Sequence, residues 1–173
     1  MINLVNGRGQ IGSALADRID EIKIDKEVFI YHTWNVWQKD FSSQKIEYQK
    51  FKKFVDKNKN SGRIIFISTA SEGENYYVFY KQKSEAYLIL NCEDCVIIRL
   101  PNLIGNKGIF SRLKNKEARP YGEMEVLSMQ SAAQKIIEMA SYDGLVKSHT
   151  CRGEKISAST LNSIINISWN KER

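Results

Sequence analysis

Apolar positions along this chain recur with two different periods, and the alternation between the two predicts the fold. Ile2-Asn3-Leu4-Val5 is a short apolar run that ends at Asn6-Gly7, and Ile11, Leu15 and Ile19 then follow at helical spacing. The opening therefore reads as strand, tight turn and helix. A second run, Val28 to Tyr31, predicts a strand, followed by a helix with Tyr48, Phe51 and Val55 on its apolar face and Ser42 or Ser43 near its cap. Ile64-Ile65-Phe66-Ile67 reads as the next strand, about Tyr76 to Asn91 as a helix, and Val96-Ile97-Ile98 as a further strand.

Strands alternating with helices predict a parallel sheet covered on both faces, because parallel strands need crossover connections that are commonly helices. After Pro101 the pattern loosens into a loop rich in glycine and basic residues. It recovers as a helix near Ser131 to Ser141, a short strand around Leu145 to Ser148 and a last helix near Ser157 to Ile167. The expectation is one domain, 1–173, with a core over 1–105 and a smaller C-terminal part over 106–173.

Composition bears this out as far as class is concerned. The chain has 173 residues, 42% hydrophobic and 27% charged, enough to bury a core without disulfides or metals. No apolar run reaches the length of a membrane span, and the early Asn6-Gly7-Arg8-Gly9 suits no signal peptide, so a cytoplasmic protein is expected. Its three cysteines, Cys92, Cys95 and Cys151, make a poor disulfide framework. Cys92-Glu93-Asp94-Cys95 spells a CxxC, but zinc takes four ligands and no second pair exists, so no metal is expected. The thiols instead suit a helix end and the start of a buried strand.

A net charge of +6 favours an anionic partner. Much of the excess sits on Lys45, Lys50, Lys52, Lys53, Lys57 and Lys59, interleaved with the apolar stripe of one helix. That is the pattern of a solvated helix face, and no recognition motif accompanies it, so the anion expected is a phosphorylated small molecule rather than nucleic acid.

Gly7-Arg8-Gly9-Gln10-Ile11-Gly12 is a G-x-G-x-x-G placed between the first strand and first helix, the context this motif requires. Its glycines let backbone approach a pyrophosphate, while the helix N-terminus offers free N–H groups and the positive end of a dipole. Gly7, Arg8, Gly9, Gln10, Ile11 and Gly12 are thus candidate cofactor contacts, and the fold is expected to be Rossmann-like and doubly wound. The acidic residue that usually holds the adenosine ribose should follow about twenty residues later, at the end of a second strand. Asp25 has nearly that spacing, yet only Lys26 and Glu27 separate it from the strand at Val28. So few residues cannot cross to the far side of the first strand. The sheet is expected to lack its second and third strands, the elements that wall the adenine pocket.

Tyr77 and Lys81 form a Tyr-x-x-x-Lys, which on a helix puts both side chains on one face. A neighbouring ammonium stabilises phenolate and so allows the hydroxyl to exchange a proton with an alcohol or ketone. Tyr48 and Lys52 match the same spacing, and the surroundings of Tyr77 distinguish it.

Those surroundings are Ile65-Phe66-Ile67-Ser68-Thr69-Ala70-Ser71, then Tyr77 to Glu85, then Arg99-Leu100-Pro101-Asn102-Leu103-Ile104-Gly105. In that order they resemble the extended short-chain dehydrogenase/reductase family: a strand ending in a catalytic Ser or Thr, a Tyr-x-x-x-Lys-x-x-x-Glu helix and an Arg-x-x-Asn-x-x-Gly segment. Asn6 to Gly12 resembles the loop of nucleotide-sugar ketoreductases. The resemblance implies an NAD- or NADP-dependent oxidoreductase or epimerase acting on a nucleotide-linked sugar, as in polysaccharide biosynthesis, and a possible homodimer. By it Tyr77 is the acid/base, Lys81 lowers its pKa and holds the nicotinamide ribose, Thr69 orients the substrate oxygen, and Asn102 lies near the sugar nucleotide. The shortening after Asp25 leaves an alternative, a non-catalytic Rossmann-fold relative that binds a nucleotide or a protein partner.

Overall fold

The structure is a computed structural model that describes residues 1–5, 9–19, 24–105, 109–115, 122–144 and 146–171. Gly7 and Arg8 of the glycine loop lie outside the described residues.

Four strands rich in branched residues, β1 (Ile2–Val5), β2 (Val28–Tyr31), β3 (Arg63–Thr69) and β4 (Cys95–Leu100), alternate with three helices, α1 (Gln10–Ile19), α2 (Phe41–Asn58) and α3 (Tyr76–Asn91). Beyond Pro101 come β5 (Asn102–Ile104), α4 (Ile109–Lys114), β6 (Glu123–Ser128), α5 (Met129–Ser141), β7 (Ser148–Thr150), β8 (Glu154–Ser157) and α6 (Ala158–Lys171). The large sheet is entirely parallel in the order β1-β2-β3-β4-β7, and a small sheet follows the order β5-β6-β8.

Side chains alternate cleanly across the large sheet, as the two-residue strand period demands. Val28, Ile30, Ile65, Ile67, Val96 and Ile98 face one side and pack against Leu15 of α1 and Ala132, Ala133 and Ile136 of α5. Tyr31, Ile64, Phe66 and Ile97 face the other and pack against Phe51 and Val55 of α2 and Leu88 of α3. The sheet is thus covered by helices on both faces, the arrangement a buried parallel sheet requires.

The missing strands leave a topological trace. Register pairs Ile2 with Val28, so β2 lies directly beside β1, and among the described residues no strand pairs with the outer edge of β1. From β1 to β4 the strands advance in one direction, yet α1 covers the opposite face from α2 and α3. The β1–α1–β2 unit therefore has the opposite hand to the two that follow. Right-handed units make up about 98% of parallel crossovers, because twisted strands favour that path. In a doubly wound sheet the winding reverses at the first strand, and α1 on this face would be right-handed if it led to a strand on the far side of β1.

Several boundaries differ from those read in the sequence. Asp40, not Ser42 or Ser43, caps α2, its carboxylate accepting from Ser43 N at 2.9 Å. The strand expected around residues 145–148 lies over Ser148–Thr150. The stretch read as a loop after Pro101 contains β5, α4 and β6, and β8 was not anticipated at all. Cys92 caps the C-terminus of α3 and Cys95 opens β4.

The lysines of α2 divide as an amphipathic helix should. Lys45, Lys50, Lys53 and Lys57 are exposed, whereas Lys52 lies over the Tyr87 ring, 4.7 Å from its centroid. No described helix is long and apolar enough to cross a membrane.

One aromatic cluster joins α2 to the sheet and to the segment after β2. Phe51 is fully buried, 4.4 Å from the Phe66 centroid, 4.9 Å from Tyr31 and 6.4 Å from Trp34. Phe51→Ala should therefore cost about 3–5 kcal/mol of stability, measured by urea denaturation, because the cavity it leaves is walled by rings that cannot collapse into it.

Candidate active-site cleft

The carboxyl ends of β1 to β4 open into one cleft of about 600 Å³, roofed from the side by β5, α4 and β6. Open parallel sheets place ligands at this end of the strands. The cleft is lined by Gly9, Gln10 and Ile11 after β1, His32 and Trp34 after β2, Ile67 to Ser71 at the end of β3, and Leu100 to Leu103 after β4. Tyr77 and Lys81 reach it from α3, while Lys39, Arg112 and Glu125 stand at its rim.

Helix α3 explains how the two candidate side chains come together. Asn75 caps it, accepting from Val78 N at 3.1 Å, so the helix starts immediately before Tyr77. Tyr77, Lys81 and Glu85 then share one face at four-residue spacing. Glu85 is buried and accepts from Arg99 of β4, with Arg99 Nη2 to Glu85 Oε2 at 2.5 Å. This charge-assisted contact fixes the helix against the sheet one turn beyond Lys81.

Lys81 is only 3% exposed, and its Nζ donates to the Ile67 carbonyl at 2.7 Å. The Trp34 and Phe66 ring centroids lie 4.4 and 4.6 Å from the same nitrogen. Burial disfavours the ammonium more than Glu85 and Glu47 restore it, and the pKa falls to about 7. The Tyr77 centroid is 6.0 Å from Lys81 Nζ and 5.5 Å from Lys39 Nζ, so the ring stands between two amines. Burial pushes the phenol above its ordinary range, against which Thr69 acts through a hydrogen bond that favours phenolate. Thr69 Oγ1 already accepts from Ser71 N at 3.1 Å, which leaves its own hydrogen to donate to the tyrosine oxygen. The connection between β3 and α3 is short, yet it brings threonine and tyrosine together.

The competing pair is elsewhere. Tyr48 packs against Tyr80 and Tyr87, with centroids 5.7 and 6.3 Å apart, and neither Tyr48 nor Lys52 lines the cleft.

Of the other candidate residues, Gly9, Gln10, Ile11 and Asn102 line the cleft. Gly12 is buried within α1. A side chain on Gly9 would meet nothing within 4 Å, so open space lies before it. The first-turn N–H groups of α1 have no partners within their helix and start from the same edge of the cleft. Asn102 Nδ2 donates to the Glu125 carbonyl at 3.2 Å, joining β5 to β6. Gly105 lets the Gln10 and Met129 side chains come close: a Cβ there would lie 2.5 Å from Gln10 Oε1 and 3.1 Å from Met129 Cε, so both would have to shift.

Three functional candidates were not legible in the sequence. His32 has its pKa lowered by burial and then by the nearby Lys81, which keeps the imidazole neutral. Trp34 is held over Lys81 by Gln44, a fully buried residue of the lysine-rich helix. Gln44 Oε1 accepts from Trp34 Nε1 at 2.7 Å, and its Nε2 donates to the carbonyls of Asn35 and Gln38 at 2.8 and 2.5 Å. Lys39 follows from the same pinned segment. A glutamine amid lysines gives no sequence signal of this role beyond its place four residues past the cap.

Gln10 Nε2, His32 Nε2 and Ser68 Oγ are buried without a hydrogen-bond partner among the described residues, and all three residues line this cleft. Buried polar groups are rarely left unpaired, because each costs about 1–3 kcal/mol. All three belong to residues of the cleft wall, so the unpaired polar groups cluster around this one space.

No protein-family profile matches the chain, and no curated protein sequence matches it significantly. Solved structures do. The dTDP-4-dehydrorhamnose reductase of Clostridium acetobutylicum superposes with a TM-score of 0.73 at 14% identity, covering 96% of this chain and 81% of that one. UDP-glucose 4-epimerase of Thermotoga maritima, solved with UDP-glucose, gives 0.64 at 13%, covering 96% and 81%. The Bordetella bronchiseptica enzyme WbmF, in complex with NAD+, gives 0.67 at 12%, covering 96% and 77%. The chain thus has the fold of the sugar-nucleotide epimerases and reductases, the fold that its glycine loop and Tyr-Lys helix resemble.

The buried amine has a measurable signature. Because its pKa falls from 10.5 to about 7, the unfolded chain binds a proton between those values that the folded chain does not. Stability contributed at this position therefore rises with pH through that window and is least below about pH 7. The difference in Tm between wild type and Lys81→Met should change steadily from pH 7 to pH 10 in favour of wild type. A difference that stays flat would show the lysine to be solvated.

Proposed function

We propose that the cleft binds a nicotinamide nucleotide and that Tyr77 exchanges a proton with a sugar carbon's oxygen on a nucleotide-linked sugar, so that the chain oxidises, reduces or epimerises that carbon. The observation that carries this reading is the meeting of Tyr77, Thr69 and Lys81 with three unpaired buried polar groups in one cleft at the carboxyl end of a parallel sheet. NAD or NADP is the expected coenzyme, and when bound it supplies the hydride acceptor or donor.

The chain's own residues divide the remaining work. Gly9, Gln10 and Ile11, with the N-terminus of α1, face the phosphate. Lys81 holds a ribose hydroxyl once a ligand draws it from the Ile67 carbonyl, and a positive charge at that nitrogen lowers the barrier to phenolate at Tyr77. Thr69 shares a hydrogen bond with the tyrosine oxygen and orients the sugar hydroxyl. Asn102 and the rim cations Lys39 and Arg112 face the side from which a sugar diphosphate enters, and the small sheet limits the access of water.

A second reading has its own support. The Lys81 amine is already bonded to Ile67 and covered by Trp34, and the Tyr77 phenol lies above its ordinary range. A chain that binds a nucleotide without turning it over would show these features too.

Titration with NADH and NADPH should quench fluorescence from Trp34 and Trp37 and raise Tm, and turnover should be sought with UDP- and dTDP-linked sugars. Tyr77→Phe should retain coenzyme binding and lose about 10²–10⁴-fold in turnover, the usual worth of a positioned acid/base. Binding without turnover in wild type favours the second reading. Full activity in the phenylalanine variant rules out the role given to Tyr77.

A further inference from the structure

The glycine loop of a doubly wound sheet marks the boundary between two mononucleotide-binding halves, one on each side of the first strand. Among the described residues of this chain only one side is built. β1 is the edge of the sheet among the described residues, and α1 leads into β2 through residues 20–27, too short for a strand, a helix and a second strand. The cleft reflects this. Among the described residues its lining begins at Gly9-Gln10-Ile11 and extends in one direction, across the ends of β2, β3 and β4 to Arg112, Glu125 and Met129. The unpaired buried polar groups among the described residues, on Gln10, His32 and Ser68, also lie on that side.

We infer that the cleft recognises a nicotinamide nucleotide through its mononucleotide half alone, with the adenosine end of a dinucleotide left outside the protein. The inference rests on the function proposed above and specifies the ligand of that same site. Recognition ends at the phosphate next to Gly9, because the buried apolar walls and hydrogen-bond partners that would hold a second nucleoside are absent beyond β1 among the described residues. The opposite hand of the β1–α1–β2 unit supports the same view. It is what remains when α1 keeps its face of the sheet and loses the strand it would have led to.

Two consequences distinguish this from ordinary dinucleotide recognition. Reduced nicotinamide mononucleotide should bind about as tightly as NADH, since the part removed makes no contact. NADH and NADPH should bind alike, since the additional phosphate sits on the adenosine ribose.

The test is equilibrium binding to the full chain by tryptophan fluorescence and calorimetry, with reduced nicotinamide mononucleotide, NADH, NADPH and 5′-AMP as probes. Dissociation constants for the first three within about threefold of one another, and no displacement by excess 5′-AMP, are expected; threefold is less than about 1 kcal/mol. NADH binding more than about thirtyfold tighter than the mononucleotide, about 2 kcal/mol, overturns the inference and leaves the proposed function standing. A comparable preference between NADH and NADPH does the same. If neither NADH nor the mononucleotide binds at millimolar concentration, the nicotinamide reading itself fails and this inference fails with it.

Discussion

An amine cannot be buried in an apolar interface unless something offsets the loss of water, and the position of Lys81 shows what does so here. The Ile67 carbonyl accepts from it, the faces of Trp34 and Phe66 lie against it, and Glu85 one turn along adds a favourable field. These groups come from three elements: Ile67 and Phe66 from β3, Trp34 from the segment after β2, and Glu85 from α3 itself. The registration of α3 against the sheet, the pinning of Trp34 by Gln44 and the pairing of Glu85 with Arg99 all meet at this nitrogen. Tyr77 takes its place in the cleft as a consequence, being on the same helix face one turn earlier.

The fold was legible where periodicity is strong. The run Ile64 to Ile67 and the helix from Tyr76 to Asn91 announce themselves, since a buried parallel strand is continuously apolar and a long helix carries its stripe over several turns. β5, β6 and β8 were not legible. They are short, half-exposed strands of a small sheet, and their pairing is between segments far apart in sequence, Asn102 with Val126 and Val126 with Glu154. Nothing local marks them. Ser42 and Ser43 do lie beside the cap of α2, but the cap itself is Asp40, and since serine and aspartate are both good caps, sequence alone does not say which has the extended backbone.

The site divides the same way. Gly9, Gln10, Thr69, Tyr77, Lys81 and Asn102 could be picked out because they stand in recognisable spacings, and the cleft gathers them. His32, Trp34, Lys39 and Gln44 belong to the segment after β2 and the start of α2, where no motif exists. Their roles come from burial and from one side-chain amide that satisfies two backbone carbonyls and an indole, facts of packing rather than of pattern.

The direct step from α1 to β2 has a modular meaning. Among the described residues, everything that lines the cleft either precedes Ile19 or follows Val28, so the connection between them is one place in the large sheet where chain could be added away from the candidate catalytic groups. A strand–helix–strand graft at residues 20–27 would give β1 a neighbour on its bare side and restore the usual hand of the first crossover. A sheet wound outward from its first strand in this way can differ by a whole flanking unit while the strands on the other side keep their register.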